Sequence, residues 1–177
     1  VPARVKQPLQ KQTAMNSSWS MDFMSDSLVG SRKFRTFNVI DDCTREVLAI
    51  EIDTSLTSKR VIRTLNRIIE QRGVPKTIRT DNGPEFTSND FELWCKEIGI
   101  QLQFIQPGKP MQNGYVERFN RLYREAILDA YLFFDIDEVK QLTLEWMEEY
   151  NERRPHEGLN NMTPEEWKQM VVNNQYL

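Results

Sequence analysis

Hydrophobic and polar residues first fall into a regular pattern after a polar lead of about 17 residues, so the lead reads as a linker. Trp19, Met21 and Phe23 alternate with Ser20 and Asp22, and two further β-type runs follow at Phe34 to Ile40 and Val47 to Ile52. Gly30 and the Asp41-Asp42-Cys43-Thr44 segment supply turns between them, predicting three sequential antiparallel strands. From about Ser58, Val61, Ile62, Leu65, Ile68 and Ile69 recur at helical spacing until Gly73 and Pro75 stop the helix. Thr77 to Thr80 reads as a short strand that runs into the turn Asp81-Asn82-Gly83-Pro84. Thr87 with Asp90 fits a helix N-cap, and Phe91, Trp94, Cys95 and Ile98 line one face before Gly99.

Gln101 to Ile105 reads as a fifth strand, and Gln106 to Gly114, with two prolines and two glycines, as a loop before a long helix that carries Glu117. Asp135 with Glu138 opens another amphipathic helix on Val139, Leu142, Trp146 and Tyr150, which Arg154-Pro155 ends. Thr163-Pro164-Glu165-Glu166 caps a last one. An antiparallel opening followed by alternating strands and helices predicts an α/β fold with a central mixed five-stranded sheet between helices. The expected organisation is a linker over 1–17, a core over 18–130 and a helical extension over 131–177.

Hydrophobic residues at 39% and charged residues at 28% are ordinary for a soluble globular chain of 177 residues, which predicts one domain. No apolar run approaches the roughly 18 residues of a membrane span, and a cytoplasmic, membrane-free location is expected. A first residue of Val suggests a fragment with domains preceding it. Two cysteines without a C-x-x-C arrangement and a single histidine argue against a disulfide framework and against a zinc site. Any catalytic metal must then be held by carboxylates, which selects Mg²⁺ or Mn²⁺. The net charge of −3 hides an asymmetry. Residues 1–124 hold 19 Lys and Arg against 14 Asp and Glu, whereas residues 125–166 hold 3 against 12. A mildly basic body beside an acidic segment is compatible with a phosphate-binding face, and equally with a solvated acidic helix on a neutral domain.

Asp22 lies mid-strand between apolar neighbours, where a carboxylate facing a helix-covered sheet needs a partner such as a metal ion. Asp81 sits at a strand's end, where α/β sheets display functional side chains, and Glu117 lies in the first turns of its helix. Taken singly, each also reads plainly as a solvent-facing strand acid, a turn former or a surface glutamate. Among the other acids, Asp41 and Asp42 read as turn residues and Glu85 as a neighbour of Asp81. His156 reads as a structural hydrogen-bonding residue. Lys59, Arg60, Arg63 and Arg67 read as a solvated helix face.

Taken together, three segments carry a resemblance: Trp19-Ser20-Met21-Asp22, Arg79-Thr80-Asp81-Asn82-Gly83-Pro84-Glu85-Phe86, and Gln112-Asn113-Gly114-Tyr115-Val116-Glu117-Arg118-Phe119-Asn120. The chain resembles the retroviral-integrase-like catalytic core of bacterial insertion-sequence transposases, whose Asp, Asp, 35, Glu signature matches the 35 residues between Asp81 and Glu117. Tyr150 to His156 and Thr163-Pro164 are similar to the end of these cores. The resemblance implies a ribonuclease-H-like fold, nicking of element ends and their joining to target DNA, and a multimeric DNA complex. It also implies two divalent ions, Asp22 bridging both and Asp81 and Glu117 each binding one. Arg121 and Arg124, four and seven residues after Glu117, fall where the family contacts the element end, and Asn113 where it has a loop amide near DNA. Lys109, in the loop beside the site, is a further DNA-binding candidate. A nuclease of the same fold that never joins strands, or a non-catalytic DNA-binding module, are the alternatives.

Overall fold

The computed structural model describes residues 14–106 and 108–174; most of the expected linker lies outside them. Three long strands open the fold: β1 (Ser18–Ser27), β2 (Lys33–Asp41) and β3 (Val47–Asp53). They pair antiparallel in sequence, with Asp22 opposite Asn38. Helix α1 (Ser58–Arg72), capped by the Thr57 hydroxyl and ended at Gly73, crosses over to β4 (Thr77–Thr80). β4 lies parallel to β1, with Ser20 beside Arg79, and β5 (Gln101–Phe104) extends the sheet on its far side. The order β3-β2-β1-β4-β5 makes the sheet mixed and five-stranded, as the alternation of patterns predicts.

Between β4 and β5 the structure corrects one expectation. Pro84 starts a separate short helix α2 (Pro84–Thr87), so Thr87 is spent inside it. Ser88, extended at ψ 147°, caps α3 (Asn89–Ile98) instead, its hydroxyl accepting from the Phe91 N–H at 3.3 Å. After β5 a 3₁₀ turn (Pro110–Asn113) leads into α4 (Gly114–Tyr123). The long helix expected here widens into a π turn over Arg124–Leu128, where the Asp129 N–H reaches back to the Arg124 carbonyl. The extra residue per turn lets the adjacent Ile127 and Leu128 both bury. Helix α5 (Ile136–Glu152), capped by Asp135, and α6 (Pro164–Asn174) form the helical C-terminal segment.

Alternation along β1 divides the core. Trp19 and Met21 face α1 and α3 with Phe37, Val61, Leu65, Phe86, Phe91 and Trp94. Met24 faces the other layer with Phe34 and Ile40 of β2, Val116, Phe119 and Tyr123 of α4, and Tyr150 of α5. Cys43 and Cys95 are both buried and free, and burial pushes their thiols up to about 11 and about 12. Between α4 and α5, Leu132 and Phe134 stand exposed. No helix among the described residues is long and apolar enough to cross a membrane.

Candidate active site

Ser18, Ser20 and Asp22 share the β1 face that looks toward α4, and the parallel register sets Arg79 of β4 beside Ser20, with Asp81 just past the strand's end. Asp22 and Asp81, two residues beyond the Ser20 and Arg79 pair on their strands, therefore meet where the antiparallel and parallel halves of the sheet join. The Asp81 carboxylate lies within Coulombic reach of Asp22. Asp81 is further fixed by the turn that follows it, its Oδ1 accepting from the Gly83 N–H at 2.9 Å. Helix α4 is anchored over this pair by Asn120, whose Nδ2 donates to Asp22 Oδ2 at 3.0 Å. Glu117 lies one turn before Asn120 on α4, within Coulombic reach of Asp22.

The electrostatics register the crowding. Burial, then the Asp81 carboxylate, then Glu117 push Asp22 up to about 7, against the lowering pull of the Phe23 N–H. Glu117, though largely exposed, is also raised by desolvation, with Arg121 opposing. Among the described residues no three such side chains are gathered tightly enough to hold a metal ion as they stand. The donor set nevertheless fits a hard dication: carboxylate oxygens alone, one of them raised by burial and by the charge of the other two.

The remaining sequence candidates fall in different places. Arg121 is exposed on the side of Glu117. Arg124 instead turns to the end of β1, donating to the Ser25 carbonyl at 3.0 Å and pairing with Asp26 and Asp129 at 3.5 Å each. Lys109 is exposed in the loop, whereas Asn113 is buried with its Oδ1 lacking a partner. Glu85 pairs with Arg35 at 2.6 Å, and Arg35 lies over the Phe23 ring. Arg60 and Arg67, expected to be merely solvated, grip Glu51 at 2.7 and 2.6 Å. Asp41 does hold its turn, accepting from the Cys43 and Thr44 N–H groups. Asp42 does more than turn the chain: it is buried and takes the Ser18 and Ser20 hydroxyls at 2.8 and 2.6 Å. His156 packs edge-on against Tyr150, and its Nε2 finds no hydrogen-bond partner, contrary to the structural hydrogen bond expected of it.

Sequence reasoning passed over Asn38 and Asn120. Asn38 Nδ2 donates to Asn120 Oδ1 at 2.8 Å, joining β2 to the amide that holds Asp22. The signal for Asn120 was its spacing, one helical turn after Glu117. Asn38 had none, because its role depends on pairing opposite Asp22.

A five-stranded mixed sheet with a buried polar seam on β1 and β4, acids at its open end and helices on both faces, is the ribonuclease-H-like architecture of retroviral integrase cores. The chain superimposes on the HTLV-2 integrase catalytic core domain, solved in complex with magnesium in a dimeric and a trimeric form. For the trimeric form the TM-score is 0.67 at 21% identity, covering 88% of this chain and 97% of that one. The catalytic core domain of BIV integrase matches with a TM-score of 0.63 at 21% identity, over 92% and 99% of the two chains. Two models of the integrase core domain match residues 12–110 and 98–164, and the chain belongs to that family. Its relatives include proteins of bacterial insertion elements. It is 40% identical over 154 residues to the uncharacterized 31.7 kDa protein of insertion element IS407 from Burkholderia multivorans, covering 87% of this chain and 56% of that protein. It is 37% identical over 163 residues to the uncharacterized 39.2 kDa protein of IS476 from Xanthomonas euvesicatoria, covering 92% and 47%. The chain thus spans about half the length of the curated relatives it matches, and is an integrase core domain related to proteins of bacterial insertion elements.

Proposed function

We propose that this core cuts and joins DNA strands by in-line displacement at a phosphodiester, with Asp22, Asp81 and Glu117 as its catalytic acids. What supports the reading is that Asp22 lies within Coulombic reach of both Asp81 and Glu117, the latter on the helix that Asn120 fastens to Asp22. Three carboxylates brought together repel; a charged pair at about 4 Å and an effective dielectric of about 20 interacts by roughly 4 kcal/mol. They would hold two Mg²⁺ ions, with Mn²⁺ as substitute. The magnesium in the HTLV-2 core supports the use of a divalent ion. Bound there, the ions would make an attacking water or 3′-hydroxyl more nucleophilic and stabilise the departing oxygen.

The chain's own part is orientation. The Gly83 N–H fixes the rotamer of Asp81, and the Asn120 amide fixes Asp22. Glu117, exposed at the start of α4, swings to complete the set. In cleavage a water oxygen bonds to phosphorus, the P–O3′ bond breaks and the 3′-oxygen leaves with a proton. In joining the freed 3′-hydroxyl attacks a target phosphodiester in the same way. Arg121, beside Glu117, and Lys109 in the loop would meet backbone phosphates of the element end and the target. Arg124 would do so by exchanging Asp26 and Asp129 for a phosphate, and Asn113 after rearrangement of its loop. The oligomeric forms of the HTLV-2 core support assembly of several copies on DNA.

The test is Asp22→Asn, Asp81→Asn and Glu117→Gln, each in the complete protein, with Mg²⁺, a pre-nicked element end and a target plasmid. Each should lower joining by at least about 10³-fold with unfolding still cooperative. Wild-type activity in any one of them overturns the triad; wild-type cleavage without a joined product makes the protein a nuclease.

A further inference from the structure

Beneath the acids the polar seam closes on Arg79, to which the sequence reading assigned no role. Its Nη1 donates to the Gln112 carbonyl at 3.0 Å and stands 4.0 Å from Asp42 Oδ2. Asp42 in turn holds the hydroxyls of Ser18 and Ser20, alternate residues on the strand that bears Asp22. One guanidinium therefore reaches every element that carries an acid: β4 by its own backbone, β1 through Asp42, and the lead into α4 through Gln112, five residues before Glu117.

The contact to Gln112 ties the loop to the sheet just ahead of the buried Tyr115 and Val116, where the Arg45 guanidinium lies over the Tyr115 ring. Asn113 stands at the N-cap position of α4 but makes no side-chain capping bond, so the first turn is not fixed locally. The loop is instead closed on Gln112, whose Oε1 accepts from the Gln106 N–H at 2.7 Å. Gln112 is thus the knot of the loop, and Arg79, with a side chain only 15% exposed, is what the knot is tied to. We propose that Arg79 is a positioning residue that sets α4, and with it Glu117, against the Asp22 and Asp81 pair. The proposal rests on the reading of those acids as catalytic. Were Arg79 only a buried partner for Asp42, its loss would be felt in β1 and in stability but not in the loop.

The experiment compares Arg79→Met and Arg79→Lys in the complete protein, with Arg79→Met/Asp42→Asn alongside so that no stranded carboxylate prevents folding. In metal-free protein, amide hydrogen exchange over 112–117 should quicken by about tenfold or more in both Met variants. The joining rate at saturating DNA should fall about 10- to 100-fold with the half-saturating DNA concentration unchanged. Arg79→Lys, which keeps a donor for the carbonyl, should restore most of both. Unchanged exchange over 112–117 in the folded double variant overturns the proposal, as does a loss that lies wholly in DNA affinity. A wild-type protein that neither cuts nor joins would instead overturn the reading of the triad, leaving the exchange result to stand on its own.

Discussion

Replacing Asn120 by Leu separates stability from chemistry at the same side chain. Asn120 makes two bonds, one to Asp22 Oδ2 at 3.0 Å and one from Asn38 Nδ2 at 2.8 Å. Leucine preserves volume and removes both. Asn38 is fully buried, its Oδ1 is already without a partner, and only the weak acceptor Met24 Sδ at 3.2 Å would remain for its Nδ2. A stranded buried donor costs about 1–3 kcal/mol, and loss of a bond to the half-buried Asp22 adds about 1 kcal/mol, giving roughly 2–4 kcal/mol. For a domain of this size that lowers the melting temperature by about 5–15 °C. Adding Asn38→Leu removes the stranded amide and turns the pair apolar, so calorimetry of the double variant should recover at least about 1 kcal/mol over additivity. DNA joining should fall about 100-fold in the single variant and stay down in the double, because Asp22 lacks its donor in both. An Asn120→Leu protein that melts within about 2 °C of wild type, or a double variant that recovers joining, would refute the reasoning.

Arg72 is buried against Asp41 and Glu46, at 2.9 Å from each, and Arg72→Met should cost about 3–5 kcal/mol in urea unfolding because two buried carboxylates lose their cation. A loss below about 1 kcal/mol would show those acids to be well enough served by Lys168 and the turn amides. Burial, with Arg154 and Arg45 nearby, holds His156 down to about 4, so its neutral form belongs to the folded state. That contribution is complete above the free value near 6.5 and is lost as pH falls toward 4. His156→Phe keeps the edge-on contact with Tyr150 and cannot charge; its advantage over wild type should be larger at pH 5 than at pH 8, on the order of 1 kcal/mol after allowance for partial exposure. Equal differences in urea midpoint at the two pH values would count against it.

Local patterns carried the elements well. Alternation on β1, the helical period of α1 and the apolar faces of α3 and α5 are where the sequence puts them, because burial on one face imposes its period directly on residue choice. What escaped was settled by partners distant in the chain. Thr87 and Ser88 are both good caps, and the choice between them followed from Pro84 starting its own turn. Helical spacing sets Arg124 on the face of Glu117, but a π turn begins there and Asp26, far back in the chain, captures its guanidinium. The three proposed acids could be named from their spacing and the resemblance. The network of Asn38, Asn120, Arg79 and Gln112 could not, since these residues meet only through strand register and helix placement.

The two sequestered thiols have a practical consequence. Cys43 and Cys95 are the only cysteines in the chain, and both are enclosed and held in the unreactive thiol form. A lone cysteine installed at the protruding Leu132, 82% exposed, would therefore take a maleimide dye or spin probe at one address without first stripping the natural sulfhydryls. Assembly on DNA could then be followed by fluorescence or distance spectroscopy in a chain otherwise untouched.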